Sequence, residues 1–289
     1  MGIRTDLALE SAQQVETSSG QALEGIEKNE SKKANLTISQ ITVKTEKAAK
    51  ALEKPIGEYV TITSKTSLEA YPDDFNQRVE AVSEELIRLC GDFSSVLVIG
   101  LGNKQITPDS LGPKVAEQIF ATRHIKKLAQ DMDTSDLNDV SVIATGVMGQ
   151  TGIEAAEIVK AVVEKTSPSK VIVIDALACS EVSHLGATIQ LTNTGISPGS
   201  GVENARKELS KSSLGVDVIA VGVPTVVDMQ TIAENVFKST SPYQELKGMM
   251  VTPRAIDKLI DRTVQLLSMS INKAFQPNLT IEDITSLVN

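Results

Sequence analysis

The sequence predicts an α/β protein with a mostly parallel central sheet, helices on both of its faces and a small N-terminal β-rich appendage. Three observations carry this. Residues 96–100 (VLVIG), 140–145 (VSVIAT) and 170–176 (KVIVIDA) are apolar at nearly every position, as strands buried on both faces are. Stretches with apolar residues at helical spacing separate them, the βαβ alternation of a parallel sheet. The first seventy residues lack that alternation and are rich in Gln, Glu, Ser, Thr and Lys.

The elements follow in order. Within 35–45, Leu36, Ile38, Ile41 and Val43 suggest a half-buried antiparallel hairpin or meander with the strand at 58–63. A boundary near residue 71 divides an N-terminal segment, 1–71, from an α/β catalytic domain, 72–289. The domain opens with a helix over 72–89, in which Phe75, Val79, Val82, Leu86 and Leu89 share one face. After the strand at 96–100, Gly112-Pro113 begins a helix to about residue 125, with proline in the first turn where its missing N–H costs nothing. The strand at 140–145 leads through a Gly-bearing loop to a helix at 153–164. Further strands are expected at 170–176, 187–192 and 217–221, and further helices at 227–237 and 253–274. Residues 192–213, centred on SPGSG, read as a long loop, and loops of that length in compact domains are often functional.

Bulk composition excludes several classes. The 28 basic and 37 acidic residues give a net charge of −9, with no Lys/Arg cluster for nucleic acid or an anionic membrane. Two cysteines, Cys90 and Cys179, cannot build a disulfide framework. The start shows no secretory signal and no run of 18 apolar residues occurs, so a cytoplasmic protein is expected. Gly100-x-Gly102 lacks the third glycine of a dinucleotide fingerprint, Gln105 standing there, and no P-loop, HExxH or GxSxG motif is present.

Ligands of open α/β sheets sit beyond the carboxyl ends of the strands. Three acids are expected there: Asp109 in the loop after VLVIG, Asp175 ending VIVID, and Asp228 after VIAVG and the turn VPTV. A pair of such carboxylates can share a proton, one activating water while its protonated partner polarises a carbonyl. Each alone is equally compatible with a helix cap or a turn. Asp228, just before a helix, suits a cap best; Asp175, inside an apolar run, is the hardest to explain as structure. Cys179 and His184 lie close in sequence, but a small buried cysteine is the commoner case. His124 reads as a terminal or surface residue, and two histidines leave little for a zinc site.

Several long strings, VIGLGNKQITPDSLGP, ATGVMGQTGIEAAEIV, VIVIDALACSEVSHLGATIQLTNTGISPGSGVENARKELS and VIAVGVPTVVD, resemble the successive signature blocks of the germination proteases. IRTDLALE and GMMVTPRAIDKLI are similar to that family's ends, and the segment between VPTVVD and MMVTP is shorter than in Bacillus-type members. The resemblance implies an endopeptidase of α/β-type small acid-soluble spore proteins, acting in the spore during germination, and a fold similar to hydrogenase maturation proteases. It implies dependence on two aspartates, matched here by Asp109 and Asp175, with Asp228 as a possible supporting acid and with no metal or other cofactor. Metal assistance by the same acids is the alternative, and a non-catalytic protein of the same fold a second. A homotetramer made as a zymogen is implied, with no direct nucleic-acid or membrane partner. Thr5-Asp6-Leu7-Ala8-Leu9-Glu10 resembles the family's cleavage sites, so self-processing is expected between Asp6 and Leu7; an ordinary N-terminal strand is the competing reading.

Overall fold

The computed structural model describes residues 5–21, 23–69, 73–128, 134–199, 206–237, 246 and 248–288. Part of the expected long loop, 200–205, and residues 1–4 lie outside them. The strands are β1 (Ile26–Lys33), β2 (Leu36–Val43), β3 (Gly57–Ser64), β4 (Ser95–Leu101), β5 (Asp139–Gly146), β6 (Lys170–Cys179), β7 (Thr188–Thr192), β8 (Asp217–Asp228) and β9 (Met250–Val251). The helices are α1 (Ala8–Ser19), α2 (Glu46–Leu52), α3 (Phe75–Cys90), α4 (Leu111–Glu117), α5 (Arg123–Leu128), α6 (Met148–Thr151), α7 (Ala155–Thr166), α8 (Lys211–Leu214), α9 (Met229–Phe237), α10 (Ile256–Phe275) and α11 (Ile281–Val288).

The fold is α/β, built on one mixed sheet of order β1-β2-β3-β7-β8-β6-β4-β5, with β9 paired to β8. Its centre is parallel: β4 pairs with β5 and β6, and β6 with β8. β7 runs antiparallel to β8, and β3 antiparallel to β7. Residues 180–187 are too few for a parallel crossover, which takes about a dozen or more. The β-rich N-terminal segment therefore continues the central sheet through the β3–β7 pairing.

Period-two alternation sends side chains to two cores. Val96, Val98, Ile172 and Ile174 face the cluster that α3, α4, α10 and α11 cover, while Leu97, Ile99, Val171 and Val173 face α7. β2 divides likewise: Leu36 and Ile38 join the first core, Ile41 and Val43 a third cluster under α1 and α2. That outcome is the burial expected of helices on both faces.

Three local expectations change, and the sequence reading missed β1. The chain enters α1 at Ala8, so Ala8-Leu9-Glu10 of the TDLALE string are helical and not strand; Leu7, in extended conformation, precedes the helix and Gly20 closes it at φ +66°. β1 (IEKNESKK) carries no apolar alternation because it is an exposed edge strand, where charge guards against further pairing. The helix expected from Gly112 to 125 is two, α4 and α5, broken at 118–122. VPTV is not a turn but part of β8, which runs on to Asp228 beside β6 with a register shift at Leu177/Ala178.

Candidate active site

Glycines bring the first aspartate to the sheet. A Cβ on Gly112 of α4 would lie 2.2 Å from the Leu101 carbonyl oxygen and 2.6 Å from that of Ile174, and a Cβ on Gly100 would lie 2.2 Å from the Gly112 oxygen. Backbone thus packs on backbone, and α4 sits directly against β4 and β6. Gly102, at φ +116°, lets the loop fold back, since a Cβ there would lie 2.1 Å from the Asp109 carbonyl oxygen. Asp109 ends a short 3-10 turn, Thr107–Asp109, and its Oδ2 accepts the Asn103 N–H at 2.7 Å. Asn103 is itself held, its Oδ1 accepting from Gln150 Nε2 at 2.7 Å and from the Gln105 N–H at 3.0 Å.

The second aspartate stands where β4 stops. The last β4–β6 pair is Gly100 with Ile174, so β6 from Asp175 to Cys179 runs on without β4 beside it. Asp175 is 6% exposed. Burial first, then the charges of Asp109 and Asp6, push its carboxyl well above the ordinary carboxylate range. Asp109 is half-buried; burial raises its carboxyl too, and the Asn103 N–H acts against that rise. Both aspartates line one cavity of about 430 Å³. Gly146 to Met148 and Pro198-Gly199 contribute further walls, so the GVMGQTG loop and the described part of SPGSG reach the same cleft. Ser200 and Gly201 lie outside the described residues. Arg206 and Lys207 stand at this cleft, paired with Glu154 at 3.6 Å and Glu157 at 2.9 Å.

The N-terminal segment bonds to the part of β6 that runs on beyond β4. Asp6 donates its N–H to the Ala178 carbonyl at 3.0 Å, and its Oδ2 accepts the Ala178 N–H at 2.8 Å. The Asp6 carbonyl accepts from Gln190 Nε2 at 2.8 Å and Lys54 Nζ at 3.1 Å, and Gln190 Oε1 takes the Ala8 N–H at 2.8 Å. Leu7 is fully buried with Leu177, Cys179 and Val227; burial of such a side chain stabilises by about 1.5–3 kcal/mol. Asp6 lines the cavity with Asp109 and Asp175, while its carbonyl faces Lys54 and Gln190.

The remaining candidates sort themselves. Asp228, 3% exposed, caps α9: its Oδ2 accepts the Thr231 N–H at 3.0 Å and hydroxyl at 3.1 Å. Cys179 and His184 are not joined as a catalytic pair. The Cys179 thiol is buried and pushed strongly up, while His184 Nδ1 lies 2.6 Å from Glu10 Oε1. His124 is exposed in the first turn of α5. Among the described residues no group of three or more His, Cys, Asp or Glu is gathered as a metal-binding set, and no helix is long and apolar enough to cross a membrane.

Sequence reading missed Lys54, Gln190 and Glu10. Lys54 and Gln190 reach the site from α2's end and β7, and nothing local in the sequence marks them. Glu10 left a trace, as the acid closing the DLALE string.

Comparison with known proteins bears on the chain as a whole. The profile of a peptidase family described as germination protease matches residues 4–240. A germination protease of Clostridium perfringens is 38% identical over 323 aligned positions, covering 99% of each chain. One from Caldanaerobacter subterraneus subsp. tengcongensis is 40% identical, covering 100% of this chain and 99% of its own. Among solved structures, the [NiFe] hydrogenase maturation protease HycI of Thermococcus kodakarensis aligns with 65% of this chain and 98% of its own, at 18% identity and a TM-score of 0.38. With the family profile spanning most of its length and relatives matching it end to end, the chain belongs to the germination protease family.

Proposed function

We propose that the protein is an aspartate-dependent endopeptidase of α/β-type small acid-soluble spore proteins, made as a zymogen that cuts its own Asp6–Leu7 bond. One observation carries the reading: Asp109 and Asp175 line one cleft in unequal surroundings. The pair titrates as a unit, and its single proton resides on Asp175, where burial and two neighbouring charges favour the neutral form. Asp109, steadied by the Asn103 N–H, stays ionised and takes the proton of the attacking water. Protonated Asp175 donates to the scissile carbonyl, and the proton on Asp109 passes to the leaving nitrogen.

Substrate backbone docks on the free edge of β6, the place Asp6 occupies through Ala178. In the unprocessed chain that edge is taken, which accounts for a zymogen. We place the enzyme in the cytoplasm of the spore as a homotetramer, on the strength of family membership; light scattering of the purified protein at a mass of four chains is the expected outcome.

The test is digestion of a small acid-soluble spore protein by wild type, Asp109→Asn and Asp175→Asn. Loss of a general acid or base lowers the rate by about 10²–10⁴. Each variant should lose that much while melting cooperatively; full activity in either removes the pair. A chelator leaves wild-type activity unchanged on this reading, and abolition by the chelator assigns the same acids to a metal instead.

A further inference from the structure

Self-processing leaves a new charge inside the molecule. Hydrolysis of the Asp6–Leu7 bond puts the water hydroxyl on the Asp6 carbonyl carbon and a proton on the Leu7 nitrogen. That nitrogen takes one further proton from solvent, and the new Asp6 carboxyl gives one up. Residues 1–6 then lose their tether, so contacts that were intramolecular must hold a free hexapeptide at its own low concentration, and it departs. Leu7 stays on the protein side of the cut, and in the uncut chain its side chain is buried and the Ala8 N–H bonds Gln190.

Glu10 lies where that new terminus must sit. It is 1% exposed, yet it is a carboxylate that collects donors on both oxygens. Oε1 accepts from the Glu181 N–H at 3.0 Å and faces His184 Nδ1 at 2.6 Å; Oε2 accepts from the Ser180 N–H and hydroxyl, each at 2.7 Å, and from the Thr5 hydroxyl. Of these donors, Thr5 alone leaves on processing. The same Thr5 hydroxyl accepts the Leu7 N–H at 3.0 Å, so a single oxygen separates the future terminal nitrogen from Glu10. Its departure opens a donor position on a buried anion at the moment a cation with three donors appears one hydroxyl away. An ammonium is a stronger partner for a buried carboxylate than the neutral hydroxyl it replaces.

We propose that Glu10, framed by Ser180, Glu181 and His184, is a binding site for the α-ammonium group of a chain that begins at Leu7. The captured terminus stays on the Glu10 side, and the edge of β6 that Asp6 held is left clear for substrate. This inference rests on the proposed cut at Asp6–Leu7, and its test is built to fail separately from it.

Two preparations are compared: the full chain after self-processing, and a chain whose residues 1–6 are replaced by a ubiquitin fusion removed enzymatically just before Leu7. The second yields the same terminus without Asp109 or Asp175 acting. The readout is acylation of the Leu7 α-amine, followed by peptide mass and referred to the same protein unfolded. Stabilising the ammonium form by one pKa unit slows the reaction about tenfold, and a slowing of at least that size is expected in the folded protein. Glu10→Gln should restore the unfolded rate. A wild-type amine as reactive as the unfolded one, or a Glu10→Gln amine that stays slow through occlusion alone, overturns the proposal. Protection in the fusion-derived chain without any self-processing upholds this site and removes the zymogen reading. Should Glu10→Gln not fold, a structure of the wild-type chain beginning at Leu7 decides: its terminal nitrogen lies within hydrogen-bond distance of Glu10, or the proposal fails.

Discussion

Asp175 is held at a cost to stability that the sequence already hinted at. A carboxyl inside VIVIDALA breaks an apolar run, and among the described residues its hydrogen bond is with its own neighbour, the Ala176 N–H at 2.9 Å. Because its folded pKa is raised, the native state binds more protons than the unfolded chain between the ordinary carboxylate pKa and the raised value. Stability therefore falls as pH rises through that window. Asp175→Asn should melt higher than wild type at neutral pH, with the gap closing as pH drops below the ordinary value, by calorimetry. Gly102 makes the opposite case. An alanine there meets the Asp109 carbonyl at φ +116°, so Gly102→Ala should lower the melting point by the equivalent of about 1–3 kcal/mol and reduce proteolysis by moving Asp109. Asp109 was legible as an acid in the loop after a strand; Asp175 was legible as an acid in an apolar run, but it lies within β6, which continues to Cys179, and does not end the strand. Asp228 was legible as a cap. Lys54 and Gln190 were not, because each acts through a long-range contact with the Asp6 carbonyl that leaves no local pattern.

Helices with a clear apolar face were readable, and those without were not. α3 and α10 carry their buried residues at regular spacing and pack on one another across the first core. α1 and α2 are small-residue helices that bury alanines, Ala8, Ala12 and Ala48, and so show little contrast between faces. The break between α4 and α5 is a tertiary effect. Asn272 of α10 accepts the Phe120 N–H at 2.9 Å and donates to the Gln118 carbonyl at 2.9 Å, pairing the backbone groups the interrupted helix leaves over. Asn272→Leu strands both, at about 1–3 kcal/mol for each unpaired buried group. Urea unfolding should show that loss without a change in the proteolytic pH profile, since the break lies away from the cleft.

Across the whole molecule, the parallel centre was predictable from near-continuous Val/Ile runs and the antiparallel β2–β3 pair from alternation within 35–45, while the rest of the antiparallel half was not. Its strands differ in kind: β2 alternates, β1 is polar, and β7 reverses because its connection is short. The reversal matters for function. It puts Gln190 of β7 next to β8 and within reach of Asp6, so the same sheet that holds the aspartate pair also grips the N-terminal segment. Catalysis on this account depends on the pair's proton resting on Asp175, where burial and two charges favour it, and not on Asp109, where burial is opposed by the Asn103 N–H. The direct measurement is ¹³C NMR titration of the Asp175 carboxyl in the wild type and in Asp109→Asn. A resonance still protonated well above the ordinary carboxylate range, and titrating lower once the Asp109 charge is gone, is the result expected. An Asp175 already ionised at an ordinary value, indifferent to the loss of Asp109, contradicts it.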